Sequence, residues 1–192
     1  MDVLKRQLRP KLEHLGSDLS IYLTEILGRR MYPHVAKHAR RTVNPPMDSW
    51  VALAADKRGY KKHPHFEVGL WDTHMYAQFC VIAECPERSR IGNSWLHHLS
   101  AVQAQVPEDF FWWIDHTQHQ GVKASNLSRK ELAEFIQRMG TSRSGELLVG
   151  LQMERKIAIQ QTPAMVMERI RGCLATLAPL YLLAVQAEGV ET

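Results

Sequence analysis

Two runs of strict alternation, separated by four residues, constrain this chain more than any other feature. Phe66, Val68 and Leu70 alternate with His65, Glu67 and Gly69; then Met75, Ala77, Phe79, Val81 and Ala83 recur at every second position. Successive side chains of a strand point to opposite faces, so a period of two marks a strand with one buried face. Trp71-Asp72-Thr73-His74 between the runs can turn the chain back on itself. Ser49 to Ala55, apolar on both faces, reads as another strand, followed by the turn chemistry of Asp56-Lys57-Arg58-Gly59. The expected element is an antiparallel meander.

Helical spacing surrounds it. Leu4, Leu8, Leu12 and Leu15 predict a helix kinked at Pro10 and capped by Gly16; Leu19, Leu23, Ile26 and Leu27 predict a second, ending at Gly28. Met31 to Ala39 fits both periods, and Asn44-Pro45-Pro46 predicts a turn or extended segment, because a residue before proline avoids the helical region. Ile91, Trp95, Leu99, Val102 and Val106 predict one helix, Phe110 to Ile114 an aromatic strand, and Asp115 to Asn126 a polar loop. Ser128-Arg129-Lys130-Glu131 is a capping box ahead of a helix closing at Gly140; Leu147, Val149, Leu151 and Met153 alternate as a strand. Thr162-Pro163 opens a last helix, expected to bend or break near Pro179. Strands cluster early and do not alternate regularly with helices. The predicted class is therefore α+β, a mainly antiparallel sheet with helices packed on it, rather than a doubly wound fold. With no repeat or linker tract, residues 1–192 read as a single domain.

The chain's 45% hydrophobic and 23% charged residues exclude a disordered or collagen-like chain. Its three cysteines form no C-x-x-C pair, and Cys80 and Cys173 sit in apolar runs as small buried hydrophobes. No secretory h-region and no apolar stretch of about 20 residues is present, so the expected setting is the cytoplasm, without a membrane.

The net charge of +4 is unevenly placed. Residues 29–65 carry nine lysines and arginines against Asp48 and Asp56, a local charge of +7, leaving −3 elsewhere. This predicts an anionic partner, a phosphate-bearing small molecule or nucleic acid, bound within 34–65. The candidate ligands are Lys37, His38, Arg40 and Arg41, with Lys57, Arg58, Lys61 and Lys62 as a second set. If 49–55 is a meander strand, the two sets flank it at opposite ends, about 23 Å apart at about 3.3 Å per residue, unless a loop folds back.

Other motifs are weaker. His34 and His38 have the spacing of two helical zinc ligands, but Val35 replaces the general-base glutamate of H-E-x-x-H, and no metal site is expected. P-loop, G-x-G-x-x-G and G-x-S-x-G patterns are absent, and no cofactor is implied. A two-histidine phosphoesterase needs two H-x-(Thr/Ser) motifs on strands; only His98-Leu99-Ser100 fits, inside a predicted helix. Asp115-His116, at the start of a loop after a strand, could form an acid–base pair aided by His38, although adjacent strand residues point opposite ways. That gives an alternative reading, a small enzyme with hydrolase-like chemistry; a protein-interaction module is a third.

Several blocks carry a family resemblance. They are His34-Val35-Ala36-Lys37-His38-Ala39-Arg40-Arg41-Thr42-Val43-Asn44-Pro45-Pro46, Trp50-Val51-Ala52, Lys57-Arg58-Gly59-Tyr60-Lys61-Lys62, Pro64-His65-Phe66 and Gly69-Leu70-Trp71-Asp72. Pro10-Lys11-Leu12-Glu13, Leu15-Gly16 and Asp115-His116-Thr117 join them. Over nearly its whole length the chain resembles the YktB-like family of uncharacterised bacterial proteins, mainly from Gram-positives. The resemblance implies an α+β fold and no assigned activity, so no catalytic residue is carried over. Relatives typically have a further N-terminal segment, and Met1 falls where its last methionine would be; a start at an internal methionine of a longer reading frame is expected from this.

Overall fold

A computed structural model describes residues 4–38 and 46–188. Its centre is one seven-stranded sheet, ordered β1-β2-β3-β4-β7-β5-β6, with every neighbouring pair antiparallel. The strands are β1 (Tyr32–Val35), β2 (Asp48–Ala54), β3 (His65–Trp71), β4 (His74–Val81), β5 (Phe111–Trp113), β6 (Val122–Lys123) and β7 (Leu147–Glu154). The first four form the expected meander, and the ambiguous segment after Met31 resolves as β1. The helices are α1 (Arg9–Leu27), α2 (Arg88–His97), α3 (Leu99–Gln105), α4 (Arg129–Thr141), the short α5 (Arg155–Ala158) and α6 (Pro163–Glu188). The fold is α+β, as the pattern predicted. Among the described residues no helix is long and apolar enough to cross a membrane.

The sheet's two faces differ sharply. One is covered by helices, and the alternating set Val51, Leu53, Phe66, Val68, Ala77, Phe79 and Val149 packs there with Leu19, Leu23, Trp95, Ile136, Leu174 and Tyr181. The opposite face has only a small apolar cluster, Cys80, Ile82, Trp113 and Leu148. Yet β4 is buried at all eight of its positions. The segments 55–64 and 114–121 run over this second face, where Tyr60, Lys61, His116 and Gln118 line a space with His74, Tyr76 and Gln78 of β4.

Three local expectations fail for tertiary reasons. Gly16 ends no helix: α1 runs through it to a left-handed cap at Gly28, φ 62°. A Cβ at Gly16 would lie 2.7 Å from Val51 Cγ2 and 2.9 Å from Pro33 Cβ, so the glycine lets α1 press against β1 and β2. Pro179 stands inside the continuous α6, where Gln105 Nε2 donates to the Thr176 carbonyl (2.7 Å) beside the turn that proline disturbs. The helix expected over 91–106 is two, α2 and α3, meeting at His98. Pro10 stands in the first turn of α1, preceded by a π-helical turn at Leu4–Leu8. The Asn44-Pro45 turn and the Met1 start lie outside the described residues.

Candidate functional site

Register fixes what the second face displays. His65 lies opposite Cys80, Glu67 opposite Gln78, and Gly69 opposite Tyr76. A Cβ on Gly69 would collide with the Tyr76 ring and hydroxyl, so the glycine makes room for Tyr76 to lie across β3. Asp48 and Trp50 on β2, Trp71 on β3, His74 on β4 and Trp113 on β5 surround them, leaving a recess of about 90 Å³. Its floor is polar yet buried: Glu67 is 8% exposed and Gln78 7%, with the fully buried His65 beside Glu67. Glu67 accepts from Gln78 Nε2 at 3.4 Å and meets His65 Nε2 at 3.3 Å. His65 Nδ1 lies 2.7 Å from the His63 carbonyl, which can only accept, so Nδ1 carries a proton.

The segment 55–64 folds back over this face. Asp56 closes its turn, accepting from the Arg58 backbone (2.8 Å) and guanidinium (3.0 Å). The Arg58 bonds hold the Asp56 carboxyl well below the usual carboxylate range. The Tyr60 hydroxyl oxygen accepts from Trp50 Nε1 at 3.2 Å, and its ring lies 4.9 Å from His65 and 5.9 Å from His34. Burial pushes the Tyr60 hydroxyl up, and burial lowers the His34 imidazole. Lys61, paired with Glu84 at 2.8 Å, reaches the recess.

A larger concavity of about 840 Å³ adjoins it along β1 and α1. Lys37, His38, Arg58 and Lys61 line it, and Trp50, Tyr60 and Lys61 line both spaces. An extended 49–55 strand would hold the two basic groups apart, but the folded-back segment returns Arg58 and Lys61 to the side of Lys37 and His38. Lys57 and Lys62 are exposed and line neither space. Arg40 and Arg41 lie outside the described residues. His38 sits at φ 45°, its Nε2 3.2 Å from Ser49 Oγ and its ring edge-on to Trp50.

The Asp115–His116 pair is rearranged. Asp115 turns onto its own loop, accepting from Thr117 Oγ1 (2.7 Å) and Thr117 N (2.8 Å), and those bonds lower its carboxyl. His116 pairs instead with Glu146, the residue before β7: Nδ1 and the backbone N–H both reach Oε2, at 2.8 and 3.0 Å. Glu146 Oε1 accepts from Ala83 N at 3.2 Å. The Glu146 bond raises the His116 imidazole, with burial opposing. For Glu146 burial acts upward, but the bonds from His116 outweigh it and the carboxyl lies low. His116 lines the recess, whereas His38 lines the outer concavity.

Residues 1–181 match the family model described as Domain of unknown function (DUF1054). The chain belongs to the DUF1054 family. It is 41% identical to a UPF0637 protein of Bacillus cytotoxicus over 181 residues, 94% of this chain and 87% of that one. It is 42% identical to a UPF0637 protein of Bacillus velezensis over 183 residues, 95% and 87% of the two chains. A UPF0637 protein of Bacillus cereus is 39% identical, again over 183 residues, 95% and 88% of the two. These matches bear out the resemblance to an uncharacterised, YktB-like bacterial family.

In this DUF1054 chain the sequence reading missed Glu67, Gln78, Tyr76, Trp50 and Glu146. The signal was present for four of them: on central strands, the side of the alternation facing away from the core was polar and aromatic rather than charged and solvated. Glu146 had no such signal, because its role depends on a partner 30 residues away. Among the described residues, two sets bring donor atoms within 4.8 Å of one another, His65–Glu67–Cys80 and Asp115–His116–Glu146. Hydrogen bonds already account for the His65–Glu67 and His116–Glu146 approaches.

Proposed function

We propose that the protein binds a phosphate-bearing small molecule across these two spaces. The carrying observation is their junction: Trp50, Tyr60 and Lys61 wall both, joining an aromatic recess to a rim holding Lys37 and Arg58. The ligand's planar part enters between Trp50, Trp71 and Trp113, with its hydrogen-bond donors toward Glu67. Its phosphate lies at the junction, beside Lys61 at the mouth of the recess, where lysine acts as a point charge and Arg58 on the rim forks onto oxygens. A recess of about 90 Å³ suits one small group better than a polymer, because single-strand binders stack successive bases on exposed platforms.

Isothermal titration of nucleoside monophosphates against their unphosphorylated nucleosides tests this. The phosphorylated member is expected to bind at least about tenfold tighter, roughly 1.4 kcal/mol, and the K37A/K61A double variant to erase that margin. Equal affinity for both members refutes the reading. Tighter binding of single-stranded oligonucleotides, falling steeply with salt, would replace it with a nucleic-acid interface.

A further inference from the structure

The His116–Glu146 pair is built beyond what fastening a loop requires. One carboxylate oxygen, Glu146 Oε2, receives both the backbone N–H and Nδ1 of His116. The two bonds fix the ring's orientation and, because the carboxylate accepts, put the ring proton on Nδ1. Nε2 then carries the lone pair, and among the described residues it has no hydrogen-bond partner. The two side chains are oppositely placed: Glu146 is 7% exposed and His116 is 48% exposed, on the recess wall. Lys61 and Gln118 line the same recess. A buried carboxylate orienting an imidazole on the wall of a ligand space is the arrangement a proton-transfer group requires.

We propose that the recess hydrolyses a phosphate ester, with His116 Nε2 as general base and Glu146 as its positioning residue. This rests on the reading that the cleft takes a phosphate-bearing ligand. Water gives one proton to Nε2 as its oxygen bonds to phosphorus. The ester P–O bond breaks, and its oxygen leaves with the electron pair and takes the proton back from the imidazolium. Ester and water become alcohol and phosphate, with no change in oxidation state. Lys61 offsets the charge growing on the phosphoryl oxygens.

Two chromogenic esters, 4-nitrophenyl phosphate and bis(4-nitrophenyl) phosphate, report turnover; phenylphosphonate, whose C–P bond this step does not break, reports binding. The wild type is expected to turn over at least one ester. H116A should lower kcat by about 10²–10⁴-fold, keep its phenylphosphonate affinity, and recover part of the rate with added imidazole. E146Q should lower kcat and move the acidic limb of the pH–rate profile to lower pH, because the charge favouring the imidazolium is gone. Phenylphosphonate binding without turnover, or H116A turning over as fast as wild type, overturns the hydrolytic proposal alone. No phenylphosphonate binding and no turnover overturns it together with the binding reading.

Discussion

Replacing Gly16 by alanine sets two opposite effects against each other. A glycine inside a helix costs about 0.5–1 kcal/mol relative to alanine, so propensity alone favours the substitution. The added methyl would lie 2.7 Å from Val51 Cγ2 and 2.9 Å from Pro33 Cβ. Neither neighbour yields easily. Val51 is 0% exposed on β2 and β-branched, with one strongly preferred rotamer, and Pro33 is a ring fixed in β1. Overpacking of this kind costs about 1–3 kcal/mol. Steric cost therefore wins, and G16A should be destabilised by up to about 2.5 kcal/mol, lowering Tm by up to about 10 °C at this size. Gly172 in α6 supplies the control, since nothing lies within 4 Å of its Cβ. G172A should gain about 0.5–1 kcal/mol from propensity. Urea unfolding of both variants gives the two signs. A stabilised G16A would refute the claim that Gly16 exists to seat α1 on the sheet. Glu13 and Ser17, which flank it on α1, line the outer concavity, so G16A should also weaken ligand binding there.

Other outcomes follow from the same geometry. Tyr60→Phe removes the oxygen that accepts from Trp50 Nε1; it should cost about 1–3 kcal/mol in urea unfolding if that donor stays unpaired, and an unchanged midpoint would refute the claim that this bond fastens the segment. His116 has a raised folded pKa, so its stabilisation is full below about pH 6.5 and lost as pH rises through the folded value; Glu146, lowered, contributes above about pH 4.3 and loses that contribution on acidification. The stability difference between wild type and H116A should therefore peak between those limits and shrink toward pH 9, and a flat difference would exclude the ion pair. Cys80, Cys85 and Cys173 are all buried, with burial pushing the Cys173 thiol up to about 12; Ellman's reagent should label none of them until the protein unfolds, and rapid labelling of the native protein would contradict their burial.

What was legible in the sequence was whatever depended on near neighbours. The alternation at 65–83 gave β3 and β4. The capping box is realised, with the Ser128 backbone donating to Glu131 Oε2 at 2.8 Å, and Thr162-Pro163 opens α6. Gly16 and Pro179 misled because their local meaning, helix termination, was overridden by packing on Val51 and Pro33 and by the buried face of α6, where Leu177, Ala178, Leu180 and Tyr181 flank the exposed proline. The placing of β7 between β4 and β5 was not readable, since antiparallel pairing of distant strands leaves no mark at either one. Half of the candidate site was visible as charge. The other half was hidden because alternation distinguishes core from non-core positions, but not a solvated face from one that loops later cover.

The sheet's two borders also bear on how the protein behaves at high concentration. A bordering strand with a long row of unpaired amides is a template on which a second molecule can stack. Here β1 has four residues with Pro33, which has no N–H, at its second position, and β6 has two, ending in Lys123. Neither border offers a run of donors long enough to extend. The amides of β3 and β4 are paired by a strand on each side, and β5 covers only Leu148–Gly150 of β7, so growth of the sheet into an oligomer or fibril has only short stretches of edge from which to start.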